Sequence, residues 1–344
     1  MGQNVFFNIM GVTIKQIAAD LKLAISTVSK ALRDSHEISP ETKARVFEYA
    51  ARMDYKPNPY ASGLKGSRSR NIAVVLPEIA DSFFASAIDG IEAAAQTKGY
   101  HVMIYLTHED AQREHAIISE FRHRRVDGVL ISVVSNSSDV THLKRLYDQG
   151  VPIVFFDRVH PAIDTANVVT NDFESAYNAA TLLIRKGCKR ITFLALRGDL
   201  NIIKDRTEGY LKAIKDHGTD IHLNPVLTCG HQDDETMELI RQRLTQIDPP
   251  DGFICSSEKL TTQTYSVCHS LKIPIPGKIR IIGFSHLPIA NLLRPSLTTV
   301  TQPAFEMGRT AATLLLNALD KKRTKLTKES VVLASKMVER ESTQ

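Results

Sequence analysis

The residues best suited to contact a polyanion lie at the start of the chain. Residues 1–70 contain 11 Lys and Arg against 6 Asp and Glu, whereas the remainder contains 32 of each, so the whole net charge of +5 comes from this segment. A small basic module on a neutral body is typical of a protein that binds nucleic acid through that module. A solvated surface with a chance excess of cations is the alternative, and charge alone leaves both interpretations open.

The basic segment also carries the spacing of short helices. Thr13 and Gln16 predict a capping box, in which the Thr hydroxyl accepts a hydrogen bond from the Gln16 amide. A second helix is predicted over residues 25–32 after a short turn, and Ser39 with Pro40 predicts the start of a third. Two helices joined by a tight turn have the geometry of a helix-turn-helix, whose second helix presents side chains to DNA bases.

Enzyme chemistry has no recognisable site in the sequence. A glycine-rich dinucleotide loop after a strand, a P-loop and a GxSxG nucleophile turn are all absent. The four cysteines never form a CxxC pair, which argues against a zinc cluster or disulfides and fits a reducing cytosol. Cys229, His231 and Asp233 precede a helix as an ordinary acidic first turn does. We therefore expect no enzyme activity, no metal and no cofactor.

Beyond residue 70 the pattern changes to alternating strands and helices. Short apolar runs, such as residues 72–76 and 128–131, predict buried strands followed by amphipathic helices. The alternation occurs twice, over about 90 residues each time, which predicts two doubly wound parallel-sheet subdomains with a ligand at their facing strand ends. No run approaches 18 apolar residues, and the first residues lack a secretory pattern, so we expect a cytoplasmic protein without a membrane span.

Specific fragments also recur in a fixed order along the chain. The basic segment contains TVSKAL, ISPETKARV and YKPN, and the α/β segment contains VPIVFFDR, IIGFSH and PSLTTVTQP. Over residues 12–340 these fragments resemble the lactose-repressor and galactose-repressor (LacI/GalR) family of transcription regulators. The resemblance implies a dimeric repressor with a periplasmic-binding-protein-like core. Its affinity for a pseudo-palindromic operator would be set by a small carbohydrate-like effector bound between the core subdomains.

The resemblance implies three segments with different roles. An all-α helix-turn-helix head is expected over residues 12–57, a hinge helix and linker over 58–70, and an α/β effector-binding core over 71–340. A solute-binding protein of the same core fold without a DNA role is the alternative, and the basic head argues against it. Within the core, we expect an N-subdomain over about 71–158 and 299–322 and a C-subdomain over about 159–298 and 325–340.

The second helix of the head carries the residues that the resemblance assigns to DNA. Lys30 can donate to guanine O6 and N7, although it lacks the planar fork of Arg. Ala24 replaces the usual Ser or Thr at the N-cap of this helix, a loss that costs roughly 1 kcal/mol of helix stability. The positions carried over are Ile25, Ser26 and Lys30 for base contact, and Thr13, Thr27 and Ser29 as further DNA contacts, with Thr27 and Ser29 suited to phosphates.

Residues 59–66 resemble the hinge helix of the family. Gly63 and Gly66 make this segment a weak helix alone, so we expect it to order only on DNA. Leu64 is the candidate wedge between base pairs, and a flexible linker is the alternative. The residues expected in the minor groove are Tyr60, Ala61, Leu64 and Lys65.

Five residues of the core are assigned to the effector by the resemblance. Phe83 and Phe84 follow the first strand, and Arg206 matches the ligand arginine, with an interface salt bridge as its alternative role. Ser257 and Ser285 stand where the family usually has Asn and Asp. Because Ser285 replaces a carboxylate, we expect no carboxylate facing Arg206 and therefore an acidic sugar or sugar phosphate as the effector.

Overall fold

The structure of the protein is a computed structural model that describes residues 12–55, 69–121, 125–135, 139–220, 223–230, 232–326 and 329–344. The chain divides into two compact units, with the boundary between Ser69 and Arg70. The predicted hinge residues Tyr60, Ala61, Leu64 and Lys65 lie outside the described residues. Within the described part of the chain, no helix is long and apolar enough to cross a membrane.

The first unit contains three helices, as predicted: α1 (Ile14–Asp20), α2 (Ile25–Leu32) and α3 (Pro40–Arg52). Thr13 caps α1 by accepting from the Gln16 backbone amide at 3.3 Å, and Ser39 caps α3 by accepting from Thr42 at 3.3 Å. Such caps satisfy amides that have no partner within a helix. The small apolar core formed by these helices consists of Ile17, Ala18, Val28, Ala31, Val46 and Ala50.

The second unit is built on two sheets, which confirms the predicted fold class. The first sheet has strand order β11-β5-β4-β3-β1-β2 and is parallel throughout: β1 (Asn71–Leu76), β2 (His101–Leu106), β3 (Gly128–Ile131), β4 (Ile153–Phe156), β5 (Asn167–Thr170) and β11 (Ser330–Leu333). The second has order β12-β10-β9-β8-β6-β7, with only β12 antiparallel: β6 (Ile191–Leu196), β7 (Val226–Cys229), β8 (Gly252–Cys255), β9 (Arg280–Phe284), β10 (Thr298–Thr301) and β12 (Lys336–Val338).

Helices cover both faces of each sheet, because the central strands are apolar on both sides. In β1, Ile72, Val74 and Leu76 face one helical layer, and Ala73 and Val75 face the other. The helices of the second unit are α4 (Ser82–Thr97), α5 (Ala111–Glu120), α6 (Thr141–Asp148), α7 (Asp172–Arg185), α8 (Asn201–Asp216), α9 (Asp233–Leu244), α10 (Glu258–Ser270) and α11 (Ala304–Asp320), followed by a short 3₁₀ helix (Glu341–Thr343).

A close helix crossing in the second subdomain depends on a glycine. A Cβ atom at Gly209 of α8 would lie 2.1 Å from the carbonyl oxygen of Phe173 in α7, closer than any side chain allows. Only glycine lets the two backbones approach in this way. The crossing brings Arg206, one turn earlier in α8, against Asp172 at the start of α7.

The predicted subdomain boundaries need correction. The predicted C-subdomain ranges, 159–298 and 325–340, include β5 and β11, but both strands belong to the first sheet. The predicted N-subdomain range 299–322 contains most of β10, which belongs to the second sheet. The chain therefore changes subdomain near residues 171, 302 and 334. The error arose because β5 follows β4 without an intervening helix. The alternation of strands and helices therefore did not predict β5 as a strand of the first sheet.

Candidate functional site

One face of α2 is exposed within the head, and the other packs into its core. Val28 and Ala31 are fully buried, whereas Ile25 is 48% exposed and Ser26 and Lys30 are also exposed. Thr27 and Ser29 are half-buried at the edge of this face, and Thr13 is exposed at the start of α1. The exposed N-terminal side of a second helix is the surface that a helix-turn-helix inserts into the major groove.

Two local features modify this surface. Ala24 has extended backbone and makes no side-chain cap, as its sequence predicts, so the first amides of α2 lack that partner. Lys30 forms an ion pair with Glu37, which the sequence interpretation did not foresee. Both side chains are about half exposed, so the pair contributes little stability but holds the ammonium group away from other acceptors.

A cavity of about 260 Å³ lies in the second unit, between the two subdomains. Its polar lining comes largely from residues within three positions of a strand end: Glu78 after β1, Glu109 after β2, Asp157 after β4, Ser256 after β8 and Gln302 after β10. In α/β proteins, ligands bind at the carboxyl ends of parallel strands, where side chains and helix starts converge. The volume is suited to a small molecule.

Four of the five predicted effector residues line this cavity. Phe83 and Phe84 are buried and pack edge to face with ring centroids 5.2 Å apart. Arg206 and Ser257 also line it, although Ser257 additionally caps α10 by accepting from Leu260 at 3.3 Å. Ser285 is not among the lining residues; it is buried and donates to Glu258 at 3.0 Å.

Arg206 is fixed by three contacts and keeps one free nitrogen. Its Nε donates to Asp172 at 2.6 Å and its Nη1 to the Ser256 carbonyl at 2.6 Å, while its guanidinium lies 4.2 Å from the Phe284 ring centroid. The side chain is almost fully buried, and Nη2 has no hydrogen-bond partner within the described structure. A buried donor without a partner costs free energy, so a ligand acceptor at this point would be stabilised.

Glu258 connects the two subdomains across the cavity. Its carboxylate accepts from Ser82 N at 3.2 Å and Ser82 Oγ at 2.5 Å, both in the first subdomain. From the second subdomain it accepts from Ser285 Oγ at 3.0 Å and His286 N at 3.2 Å. The longer side chain of Glu258 therefore reaches Ser82 across the cavity.

The charges around the cavity contradict the premise of the acidic-effector expectation. Arg206 does face a carboxylate, because Asp172 pairs with it. Five carboxylates line the cavity against three Lys and Arg side chains. The physical reason for the error is that Asp172 is distant in sequence from Arg206 and meets it only through the fold. The lining carboxylates are Glu78, Asp81, Glu109, Asp157 and Glu258.

A second ion pair lies in the cavity lining, on the side of the first subdomain. Arg158 donates to Glu109 at 2.7 Å and lies 6.0 Å from the Phe84 ring centroid. Burial raises the pKa of Glu109, but the charge and hydrogen bond of Arg158 outweigh it and lower the pKa overall. Burial raises the pKa of neighbouring Asp157, whose side chain accepts from Gln302 at the chain crossover at 3.4 Å.

Sequence reasoning did not assign Asp81, Glu109, Asp172 or Glu258 to the site. Each follows a strand, directly or within a few residues, so the position of an acidic residue after an apolar run was the available signal. The family resemblance assigned Ser257 to the site instead, because Ser257 stands where the family usually has Asn.

Comparisons with known proteins agree with this division of the chain. Residues 13–58 match the family model of bacterial regulatory proteins, lacI family, and residues 180–343 match a periplasmic binding protein-like domain. The chain is 27% identical to the HTH-type transcriptional regulator RegA of Clostridium saccharobutylicum, over 97% of this chain and 100% of RegA.

Two solved structures show the same fold. A lac repressor dimer bound to operator and the anti-inducer ONPF aligns with a TM-score of 0.81 and 17% identity, covering 97% of this chain and 99% of the repressor chain. A complex of the transcriptional regulator CelR with cellobiose aligns with a TM-score of 0.70 and 23% identity, covering 96% and 99%.

Asp81 provides a pH-dependent test of the cavity electrostatics. Burial and the nearby charge of Glu258 raise its pKa from 3.8 to about 7. The folded state holds this proton more tightly than the unfolded state. Ionisation of Asp81 therefore destabilises the folded state, and this destabilisation increases as pH rises from about 4 to 7. Asp81→Asn should therefore stabilise the protein by about 1–2 kcal/mol at pH 8 and by much less at pH 5, measured by urea unfolding.

Asp110→Asn is the matched control. Asp110 also caps a helix, accepting from Gln112 at 2.8 Å and Arg113 at 3.2 Å, but it is not among the cavity-lining residues. Asn retains capping ability at both sites. A stability gain at pH 8 in the control, or none in Asp81→Asn, contradicts this account of the cavity charges.

Proposed function

The chain belongs to the LacI family of bacterial regulatory proteins, which are DNA-binding transcriptional regulators, and we propose that it represses transcription as a dimer on a pseudo-palindromic operator, under the control of a small polyhydroxylated effector. The exposed N-terminal face of α2, on the second helix of a helix-turn-helix, is the observation that carries the DNA part of this proposal. A role as a solute-binding protein alone would leave this face without a purpose. A regulator that reads bacterial DNA works in the cytoplasm, and this location is part of the proposal.

The residues proposed at the operator divide by their position on the head. We propose that Ile25, Ser26 and Lys30, exposed on α2, reach base edges, and that the half-buried Thr27 and Ser29 contact phosphates. Thr13 at the start of α1 is proposed as a further DNA contact. The hinge residues Tyr60, Ala61, Leu64 and Lys65 remain a sequence-based proposal for the minor groove. Dimerisation supports specific binding because one head alone buries too little DNA surface.

The effector proposal rests on the cavity between the subdomains. Aromatic walls from Phe83 and Phe84, together with carboxylate acceptors and the free Arg206 donor, are suited to a molecule with apolar faces and many hydroxyl groups. The CelR–cellobiose structure, which has the same fold, supports a carbohydrate-like ligand. The surplus carboxylates of the lining would repel an acidic sugar or a sugar phosphate, which argues against that class of effector. A ligand that favours one arrangement of the subdomains can change operator affinity by that difference in binding free energy.

The dimeric operator complex predicts a steep dependence on salt. Two heads that contact roughly 6–10 phosphates should lose about 10³–10⁵-fold in affinity between 50 and 200 mM salt. Operators can be selected from random duplexes with the full chain, and binding can then be followed by fluorescence anisotropy. Selected sites without two-fold symmetry, or equal affinity for scrambled duplexes, would refute the proposal.

Lys30 separates base reading from phosphate contact. Lys30→Ala should cost about 1–3 kcal/mol on the selected operator and relax the preference at one symmetric base pair. Lys15→Ala, which removes an exposed cation from α1, should weaken all duplexes alike or have no effect. If Lys30→Ala weakens every sequence equally, Lys30 is a phosphate contact and the base assignment fails.

A further inference from the structure

The cations that line the cavity already have carboxylate partners. Arg158 pairs with Glu109 at 2.7 Å, Arg206 with Asp172 at 2.6 Å, and Lys259 with Asp233 at 2.7 Å. Two of these partners, Asp172 and Asp233, come from outside the cavity lining. The positive charge at the cavity is therefore neutralised before any ligand enters.

Two half-buried carboxylates of the lining, Asp81 and Glu258, have no such compensation. Asp81 accepts from the Phe83 backbone amide at 2.9 Å, and Glu258 accepts only from hydroxyl and backbone donors of Ser82, Ser285 and His286. Among the described residues, neither forms an ion pair. Both side chains are half-buried, where a nearby cation would offset part of the desolvation cost of the charge, so these carboxylates favour a positively charged ligand.

The groups that face Asp81 are also acidic. They are Glu258 at the start of α10, Glu78 in the loop after β1 and Asp157 at the end of β4. Burial, together with the repulsion from these carboxylates, raises the pKa of Asp81 to about 7. A cation placed against Asp81 would relieve this repulsion and lower the pKa.

We propose that the effector carries a protonated amine that pairs with Asp81 and Glu258, which makes it a polyhydroxylated amine such as an amino sugar. This inference rests on the proposed effector role of the cavity and specifies its ligand. Arg206 supplies an independent indication of a ligand at the same place, since its buried Nη2 lacks an acceptor and could donate to a hydroxyl oxygen of the ligand. The aromatic walls of Phe83 and Phe84 suit both the sugar face and a nearby ammonium group.

Matched pairs of sugars test the proposal by calorimetry on the full chain at pH 7. The pairs are glucosamine and glucose, galactosamine and galactose, and mannosamine and mannose. At least one amine should bind ten or more times as tightly as its neutral counterpart, because only the amine gains a charge-assisted bond in a low-dielectric site. Asp81→Asn should abolish this preference, while Asp110→Asn, outside the cavity lining, should keep it.

The pH dependence gives a second readout. Between pH 5.5 and 7 the amine stays largely protonated while Asp81 loses its proton, so amine affinity should rise about tenfold in wild type and stay flat in Asp81→Asn. A preference that survives in Asp81→Asn, equal binding within every pair, or no binding by any amine overturns the inference. If only the neutral sugars bind, the inference of an amine ligand is overturned but the proposed function is not. If a bound sugar leaves operator affinity unchanged, the proposed effector role fails instead.

Discussion

The buried ion pair between Arg206 and Asp172 is the interaction on which the effector cavity depends. It joins the starts of α7 and α8, and the same guanidinium reaches the carbonyl of Ser256 after β8 and lies over Phe284 of β9. Removing one partner of such a pair typically costs about 3–5 kcal/mol, because the other charge is left buried and uncompensated. The pair also fixes the direction of the remaining N–H group, and a preorganised donor binds a ligand without an ordering cost.

The subdomains meet through polar groups rather than through a continuous apolar core. Glu258 accepts hydrogen bonds from both subdomains, and Gln302 lies at a crossover between them, where it donates to Asp157. Hydrogen bonds of this kind have a small net value, since water can replace them when the cleft opens. A ligand of moderate affinity can therefore shift the equilibrium between open and closed arrangements. The apolar cores on either side stay intact during such a change.

The sequence predicted those parts of the fold that local chemistry determines. Thr13 and Ser39 cap helices as expected, and the apolar runs became buried strands because each fills both faces of a parallel sheet. Strand β5 was missed, and the third crossover was predicted near residue 323 instead of 334, since the placement of β5 and β11 depends on pairing between distant segments. The prediction that no carboxylate faces Arg206 was wrong for the same reason. Asp172 and Glu258 reach their partners only through the packing of α7, α8 and α10, which no local pattern reveals.

A double-mutant cycle on Arg206 and Asp172 tests the central claim most directly. Unfolding free energies of wild type, Arg206→Met, Asp172→Asn and the double variant can be measured in urea by circular dichroism, since the chain has no Trp. If the pair organises the cavity, each single variant loses about 3–5 kcal/mol and the double variant is more stable than additivity predicts by about 2 kcal/mol. Losses that add within about 0.5 kcal/mol would contradict the account, because they would show that the two side chains stabilise the fold independently.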